Sequence, residues 1–200
     1  ELFSEIREAP RPDDADAHEI MKEYLVADCC ETTVNDVLGA VDQQPWEIAY
    51  VMAWLSVSGA NSVVPPWVRP QFPAVSALIT QLRDTPCHKT SCNWCNEQHC
   101  ARAQLQRWFG FENFRPRPAD SGGRSLQAVI VEAAMAREHA LGVLPTGTGK
   151  SLCYQIPALS RYEKTGALTV VISPLVALMA DQVAGLEAAG INSCAALNGL

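Results

Sequence analysis

The feature that most constrains this chain is a seven-residue turn, Pro145-Thr146-Gly147-Thr148-Gly149-Lys150-Ser151, set between two apolar runs of different texture. Before it stands Ala140-Leu141-Gly142-Val143-Leu144, short enough for a buried strand. After it, Leu152-Cys153-Tyr154-Gln155-Ile156 has the spacing of a helix. A chain turns that tightly only where glycine supplies backbone conformations other residues avoid, and Gly147 and Gly149 stand at the reversal. The turn then presents several N–H groups to one point, at the positive end of the helix that follows, which is an anion site built from main chain. Lys150 adds an ammonium group for the β- and γ-phosphates of a nucleotide, and the Ser151 hydroxyl a ligand for Mg²⁺. Residues Thr146, Gly147, Thr148, Gly149, Lys150 and Ser151 are therefore the candidate nucleotide site. The strict motif G-x-x-x-x-G-K-[ST] asks for glycine at 144, where this chain has Leu144.

From Ser125 onward the pattern alternates: helix at about 125–138, strand at 140–144, helix at 149–159, strand at 168–172, helix at 175–189 and a strand near 193–197. That order is the opening of a doubly wound parallel sheet, so the expected fold class is α/β. The preceding residues read differently. Residues 1–16 are polar and rich in Pro and Asp, a loose arm. Ile20, Tyr24 and Leu25, and then Trp46 to Leu55, suit helices, and a further short helix is expected at Ala74–Arg83. Between these the prolines at 65, 66, 70 and 73 make a connector around Trp67 and Phe72. A helix is expected to run to Phe109, and Asn113–Arg124 reads as a loop. The chain thus divides into a mainly helical N-terminal domain, 1–104, and an α/β domain beginning at 105 and extending to 200.

Charge has to be read by region. The 200 residues carry a net charge of −7, but 13 acids against 3 bases fall in residues 1–50, a local −10, and the rest sums to +3. The acidity therefore belongs to the N-terminal domain and does not exclude a polyanionic partner for the remainder. The longest apolar stretch, Ile48 to Val57, is about half of the ~20 residues a membrane span needs, and no secretory leader is evident. A cytoplasmic setting is expected, or a nuclear one in a eukaryote. Thiols stay reduced there, so the eight cysteines are metal ligands or core residues before they are disulfides.

Reading outward from Lys150, Leu144-Pro-Thr-Gly-Thr-Gly-Lys-Ser-Leu-Cys-Tyr-Gln-Ile-Pro-Ala-Leu159 closely resembles the RecQ family of superfamily 2 DNA helicases, which relaxes the first glycine of the loop. Leu168-Thr-Val-Val-Ile-Ser-Pro-Leu-Val-Ala-Leu-Met-Ala-Asp-Gln-Val183 resembles that family's motif Ia. The resemblance covers about residues 105–200 and implies ATP with Mg²⁺, a RecA-like parallel-sheet domain and a DNA partner. It further implies an upstream element, F-G-[YF]-x-x-F-R-x-G-Q, whose glutamine reads the adenine edge. Phe109-Gly110-Phe111-Glu112-Asn113-Phe114-Arg115 matches its first part, and Pro116 to Leu126 intervenes before Gln127. Gln127 is accordingly assigned to adenine, Arg124 stands beside it at the offset of the motif's arginine, and Phe111 is a stacking candidate. A glutamine merely decorating a helix is the plainer alternative. Ser173, at the strand end before Pro174, is implied to touch DNA phosphate, and it also suits a simple helix cap.

The sequence Cys87-His-Lys-Thr-Ser-Cys92-Asn-Trp-Cys95-Asn-Glu-Gln-His-Cys100 spaces four thiols as C-x4-C-x2-C-x4-C. Cys87, Cys92, Cys95 and Cys100 can close tetrahedrally around a structural Zn²⁺, and zinc is the expectation. Iron–sulfur ligation and unliganded thiols are the alternatives. The RecQ family's own zinc module lies elsewhere, so this knuckle is read from its residues alone. Cys29, Cys30, Cys153 and Cys194 are expected in the core.

The whole reads as the ATP-binding half-site of an ATP-dependent DNA helicase or translocase, preceded by a module for metal and for protein or DNA partners. The rival readings are a non-helicase P-loop nucleotide-binding protein and a zinc-dependent nucleic-acid-binding module. A Walker B carboxylate and arginine fingers do not appear by Leu200, so residues 1–200 alone are expected to bind nucleotide without turning it over.

Overall fold

The computed structural model describes residues 14–39, 43–57 and 68–197. The expected N-terminal arm, up to residue 13, and the connector around 65–67 lie outside them. Ten helices are described: α1 (Asp14–Asp28), α2 (Glu31–Leu38), α3 (Pro45–Val57), α4 (Val68–Gln71), α5 (Ala74–Arg83), α6 (Asn93–Gln98), α7 (Ala101–Phe109), α8 (Leu126–Met135), α9 (Leu152–Thr165) and α10 (Val176–Ala188). The described residues up to Cys87 form one compact unit and those from His88 a second.

The first unit is built on apolar stripes at helical spacing. Val34, Val37 and Leu38 of α2, Ile48, Val51, Trp54 and Leu55 of α3, and Val75, Leu78, Ile79 and Leu82 of α5 bury one face each, closing over Leu25 of α1. At about 1.5–3 kcal/mol for each large apolar side chain removed from water, that cluster supplies the unit's main driving force. The Thr33 hydroxyl, buried between α2 and α5, donates to the carbonyls of Cys30 at 2.8 Å and Leu82 at 3.2 Å. Arg83 lays its guanidinium over the Trp54 ring, 5.8 Å from the centroid. Cys29 sits within this core, where burial pushes its thiol up from the ordinary 9.0 to about 12.

The second unit has a smaller core, Ala101 and Leu105 of α7, Val131 of α8 and Ile156 of α9, with Phe109, Phe114, Met135 and Leu152 against it. Its helices stop where glycine lets them. Gly110 ends α7 at φ +70° and Gly166 ends α9 at φ +63°, both left-handed and both donating back into the last turn. Ser125 starts α8, its hydroxyl accepting from the Ala128 N–H at 3.3 Å.

The expected α/β class is corrected here. The helices at 125–138, 149–159 and 175–189 appear as α8, α9 and α10, but among the described residues no sheet forms. The runs at 140–144, 168–172 and 193–197 have no ladder, and the isolated antiparallel bridge Ala119↔Ser125 is the strand pairing recorded. The architecture is helical, and a RecA-like parallel sheet is not what these residues build. The physical reason lies in where hydrogen bonds are found. A helix pairs each N–H with a carbonyl four residues away, whereas a parallel strand needs a neighbour brought in from a dozen or more residues off. Without that neighbour the apolar side chains stay in water: Leu141 is 93% and Ile172 92% exposed, while Leu144, next to the turn, is buried.

Candidate functional site

The turn before α9 has the geometry its glycines imply. Gly147 lies at φ +80° and Gly149 at φ +75°. A side chain at Gly147 would meet nothing within 4 Å, so the space in front of the turn is open on that side. The Thr148 hydroxyl donates to the Pro145 carbonyl at 2.7 Å and closes the turn, and α9 grows directly from it, with Leu152 and Cys153 donating to the carbonyls of Gly149 and Lys150. The Lys150 ammonium folds back over the loop, donating to the carbonyls of Leu144 at 3.0 Å and Pro145 at 3.4 Å. Those are neutral acceptors, and a phosphate oxygen carrying charge would outbid them. Ser151 stands in the αR conformation at the start of α9 with its hydroxyl making no cap bond. The residues present thus fit a triphosphate with its metal: open glycine backbone, a helix start, an ammonium and an unengaged hydroxyl.

Gln127, the expected adenine reader, is buried in the first turn of α8 against this loop. Its amide nitrogen donates to the Gly149 carbonyl at 2.8 Å, with Thr148 at 3.4 Å, and its amide oxygen accepts from the Arg115 backbone N–H at 3.1 Å. Arg115 reaches further, its guanidinium donating to the Gly147 carbonyl at 2.6 Å. Both glycine carbonyls of the turn are therefore held by side chains from the element upstream.

The residues that separate Arg115 from Gln127 explain how this happens. Leu126 donates to Pro118 and Asp120 to Arg124, while the Asp120 carboxylate accepts from the Gly122 and Arg124 N–H groups. The insertion closes on itself as a small hairpin, so its two ends meet as if it were absent. Arg124 leaves the loop altogether and pairs with Glu132 on the surface. Arg115 occupies the place beside Gln127 that the sequence spacing gave to Arg124. Phe111 is 55% exposed and lines a cleft with Ser151, Gln155 and Asp181.

Ser173 is half-buried ahead of α10, and its hydroxyl accepts from the Leu175 N–H at 3.4 Å; this is a local turn and not a cap, since the N-cap of α10 is Leu175 with no side-chain bond. Sequence reasoning missed Gln182, whose amide oxygen accepts from the Tyr154 hydroxyl and the Gln155 amide, each at 2.9 Å, tying α10 to α9. It also missed Lys164, almost fully buried at the far end of α9, with its ammonium 3.4 Å from His99 Nδ1. Alongside, Arg107 of α7 pairs with Glu163. A polar residue four positions from an apolar stripe was the available signal, and it is a weak one. Burial raises the thiol pKa of Cys153, in keeping with a packing role.

Of the four thiols in the knuckle pattern, Cys95 is buried on α6, Cys87 and Cys92 are half-buried and Cys100 is exposed at the start of α7. Cys87, Cys92 and Cys95 belong to a thiol group that could hold a metal ion. Cys100 is not among them. No helix among the described residues is long and apolar enough to cross a membrane.

Residues 124–199 match the family model of the DEAD/DEAH box helicases. The ATP-dependent DNA helicase RecQ of Bacillus subtilis (strain 168) is 47% identical over 95 residues, 48% of this chain and 14% of that protein. RecQ of Haemophilus influenzae is 43% identical over 97 residues, again 48% and 14%. The ATP-dependent DNA helicase Q1 of Rattus norvegicus is 44% identical over 89 residues, 44% of this chain and 12% of that one. The chain therefore matches about one seventh of the length of these relatives. No solved structure matches it.

Proposed function

We propose that these 200 residues, similar over 124–199 to the DEAD/DEAH box helicases and to RecQ, grip ATP for an ATP-dependent DNA helicase or translocase. The observation that carries the reading is the convergence of Lys150, Gln127 and Arg115 on a single glycine turn. A surface lysine on an ordinary turn would not require a buried glutamine and an arginine to hold the turn's carbonyls. In this reading the backbone of Thr146 to Gly149 takes the phosphates, Lys150 neutralises the β- and γ-oxygens and Ser151 binds Mg²⁺. Gln127 reads the adenine edge with Arg115 beside it and Phe111 near the base; Arg124 could join only by leaving Glu132. ATP with Mg²⁺ supplies the phosphoryl chemistry, and this chain's residues bind and orient it.

The partner is nucleic acid, DNA above all, with Ser173 and the start of α10 against its phosphates. Residues 1–104 serve as an accessory module for metal, DNA or protein partners, and the metal at the thiol group is Zn²⁺. The setting is cytoplasmic, or nuclear in a eukaryote.

The test is DNA-stimulated ATPase and strand separation by the full-length protein and its Lys150→Ala variant. Loss of both in the variant is expected. ATP hydrolysis indifferent to DNA would favour a P-loop protein of another kind. DNA binding with no nucleotide dependence in either form would leave only a zinc-dependent binding module.

A further inference from the structure

Helix α10 carries no buried residue. Val176 and Leu178 near its start are exposed, and a side chain at Gly185 would meet nothing within 4 Å. Its half-buried positions, Met179, Gln182, Val183 and Leu186, recur at helical spacing and mark one face. Within that stripe Gln182 is the polar member. Its amide oxygen accepts two hydrogen bonds at 2.9 Å, from the Tyr154 hydroxyl and the Gln155 amide. Both donors belong to one turn of α9, and both also give their backbone N–H to the Ser151 carbonyl, at 3.2 and 3.0 Å. Ser151 and α10 are thus two hydrogen bonds apart through a single pair of residues.

We propose that Gln182 is a positioning residue that couples the turn at 145–151 to α10, so that Mg-ATP in the turn orders α10. The inference rests on the reading of 145–151 as a nucleotide site and adds to it the element that answers to occupancy. A helix with a broad buried apolar face is held by many small contacts at once. α10 lacks such a face, and beside Gln182 a cleft of about 220 Å³ opens, lined also by Phe111, Ser151, Gln155 and Asp181. The bonds that tie it to α9 are directional: two donors meet one oxygen, and they meet it only while Tyr154 and Gln155 keep their places. Those places follow Ser151, because its carbonyl is the acceptor on which their helical turn closes. A metal that holds the Ser151 hydroxyl therefore takes freedom from both donors. By linkage the effect runs both ways: a partner that favours the ordered α10, nucleic acid at its start included, tightens Mg-ATP by the same factor.

The test is hydrogen exchange, read peptide by peptide, on the 200-residue chain with and without Mg-ATP, in the wild type, Gln182→Ala and Gln182→Glu. In the wild type, Mg-ATP should slow exchange across 145–156 and should slow it in α10 by about fivefold, the worth of one hydrogen bond. Gln182→Ala should abolish the α10 response while 145–156 still responds. Gln182→Glu keeps an acceptor oxygen for both donors and should restore it. A role in helix stability alone would shift α10 equally with and without nucleotide and leave the difference between the two intact. Should α10 in Gln182→Ala exchange too fast to measure, Tyr154→Phe removes one of the two donors without touching α10, and a reduced response is expected. Protection of 145–156 with no response in wild-type α10, or a response as large in Gln182→Ala and Tyr154→Phe as in the wild type, would overturn the coupling. Mg-ATP that protects neither segment would instead overturn the nucleotide reading on which it stands.

Discussion

Gly149 and Gln127 should behave as one unit in a double-mutant cycle. A methyl group at Gly149 would meet the Gln127 amide nitrogen at 2.8 Å, and the residue lies at φ +75°. Gly149→Ala therefore carries two penalties. The left-handed conformation costs about 1–2 kcal/mol for any residue with a Cβ. Moving the buried amide breaks its 2.8 Å bond to the Gly149 carbonyl, about 1 kcal/mol more. In a Gln127→Ala background only the first penalty remains, because the group in the way is gone. The two substitutions should thus be non-additive by about 1 kcal/mol, the double variant being more stable than the sum of the singles. Urea unfolding of the four proteins, followed by the signal of the second unit, measures this, and Mg-ATP titration of the same set reports whether the shared contact also matters for the nucleotide. Additivity within about 0.3 kcal/mol would mean that Gln127 does not hold the turn, and the argument that the glycine loop is braced from upstream would fail.

Lys150→Ala should weaken Mg-ATP binding by roughly 10- to 150-fold, the value of a charge-assisted hydrogen bond of about 1.5–3 kcal/mol, as read by calorimetry; unchanged affinity would remove the ammonium from the site. Ile156→Ala empties a fully buried position in the small core of the second unit and should cost about 2–5 kcal/mol there, while hydrogen exchange in α2, α3 and α5 is unaltered. Arg107→Ala breaks a half-exposed ion pair with Glu163 and should change thermal stability by less than about 1 kcal/mol; a larger loss would show that the pair is a structural strut.

What the sequence made legible follows from the range of the interactions. Helices α5 and α7 were readable to within a few residues because each carries its own apolar stripe and its own stop, Arg83 before Asp84 and Phe109 before Gly110. The tight turn at Gly147 and Gly149 was legible for the same local reason. Strands at 140–144 and 168–172 were read from apolar composition alone, which says that a segment wants cover and not what covers it. Arg115 lay in plain view, but the residues after it made Arg124 look like the partner of Gln127, since spacing counts residues and takes no account of a loop that closes on itself.

That last point can be put to a direct test. Residues 116–126 form a hairpin held by its own bonds, chiefly those to the Asp120 carboxylate and from Leu126 to Pro118, and the bracing of the turn by Arg115 and Gln127 lies outside it. Replacing 116–126 with Pro-Gly restores the direct F-R-x-G-Q spacing. Shortening the loop from eleven residues to two lowers its closure cost by about 1.5 kcal/mol, which offsets part of what is lost: the hairpin bonds, the Ser125 cap of α8 at about 1 kcal/mol and the exposed Arg124–Glu132 pair, itself worth at most about 1 kcal/mol. Stability and the thermal shift on adding Mg-ATP should both survive. If the shortened chain folds but ATP no longer raises its melting temperature, the hairpin itself contributes to the nucleotide site, and Arg124 regains the place that Arg115 now holds.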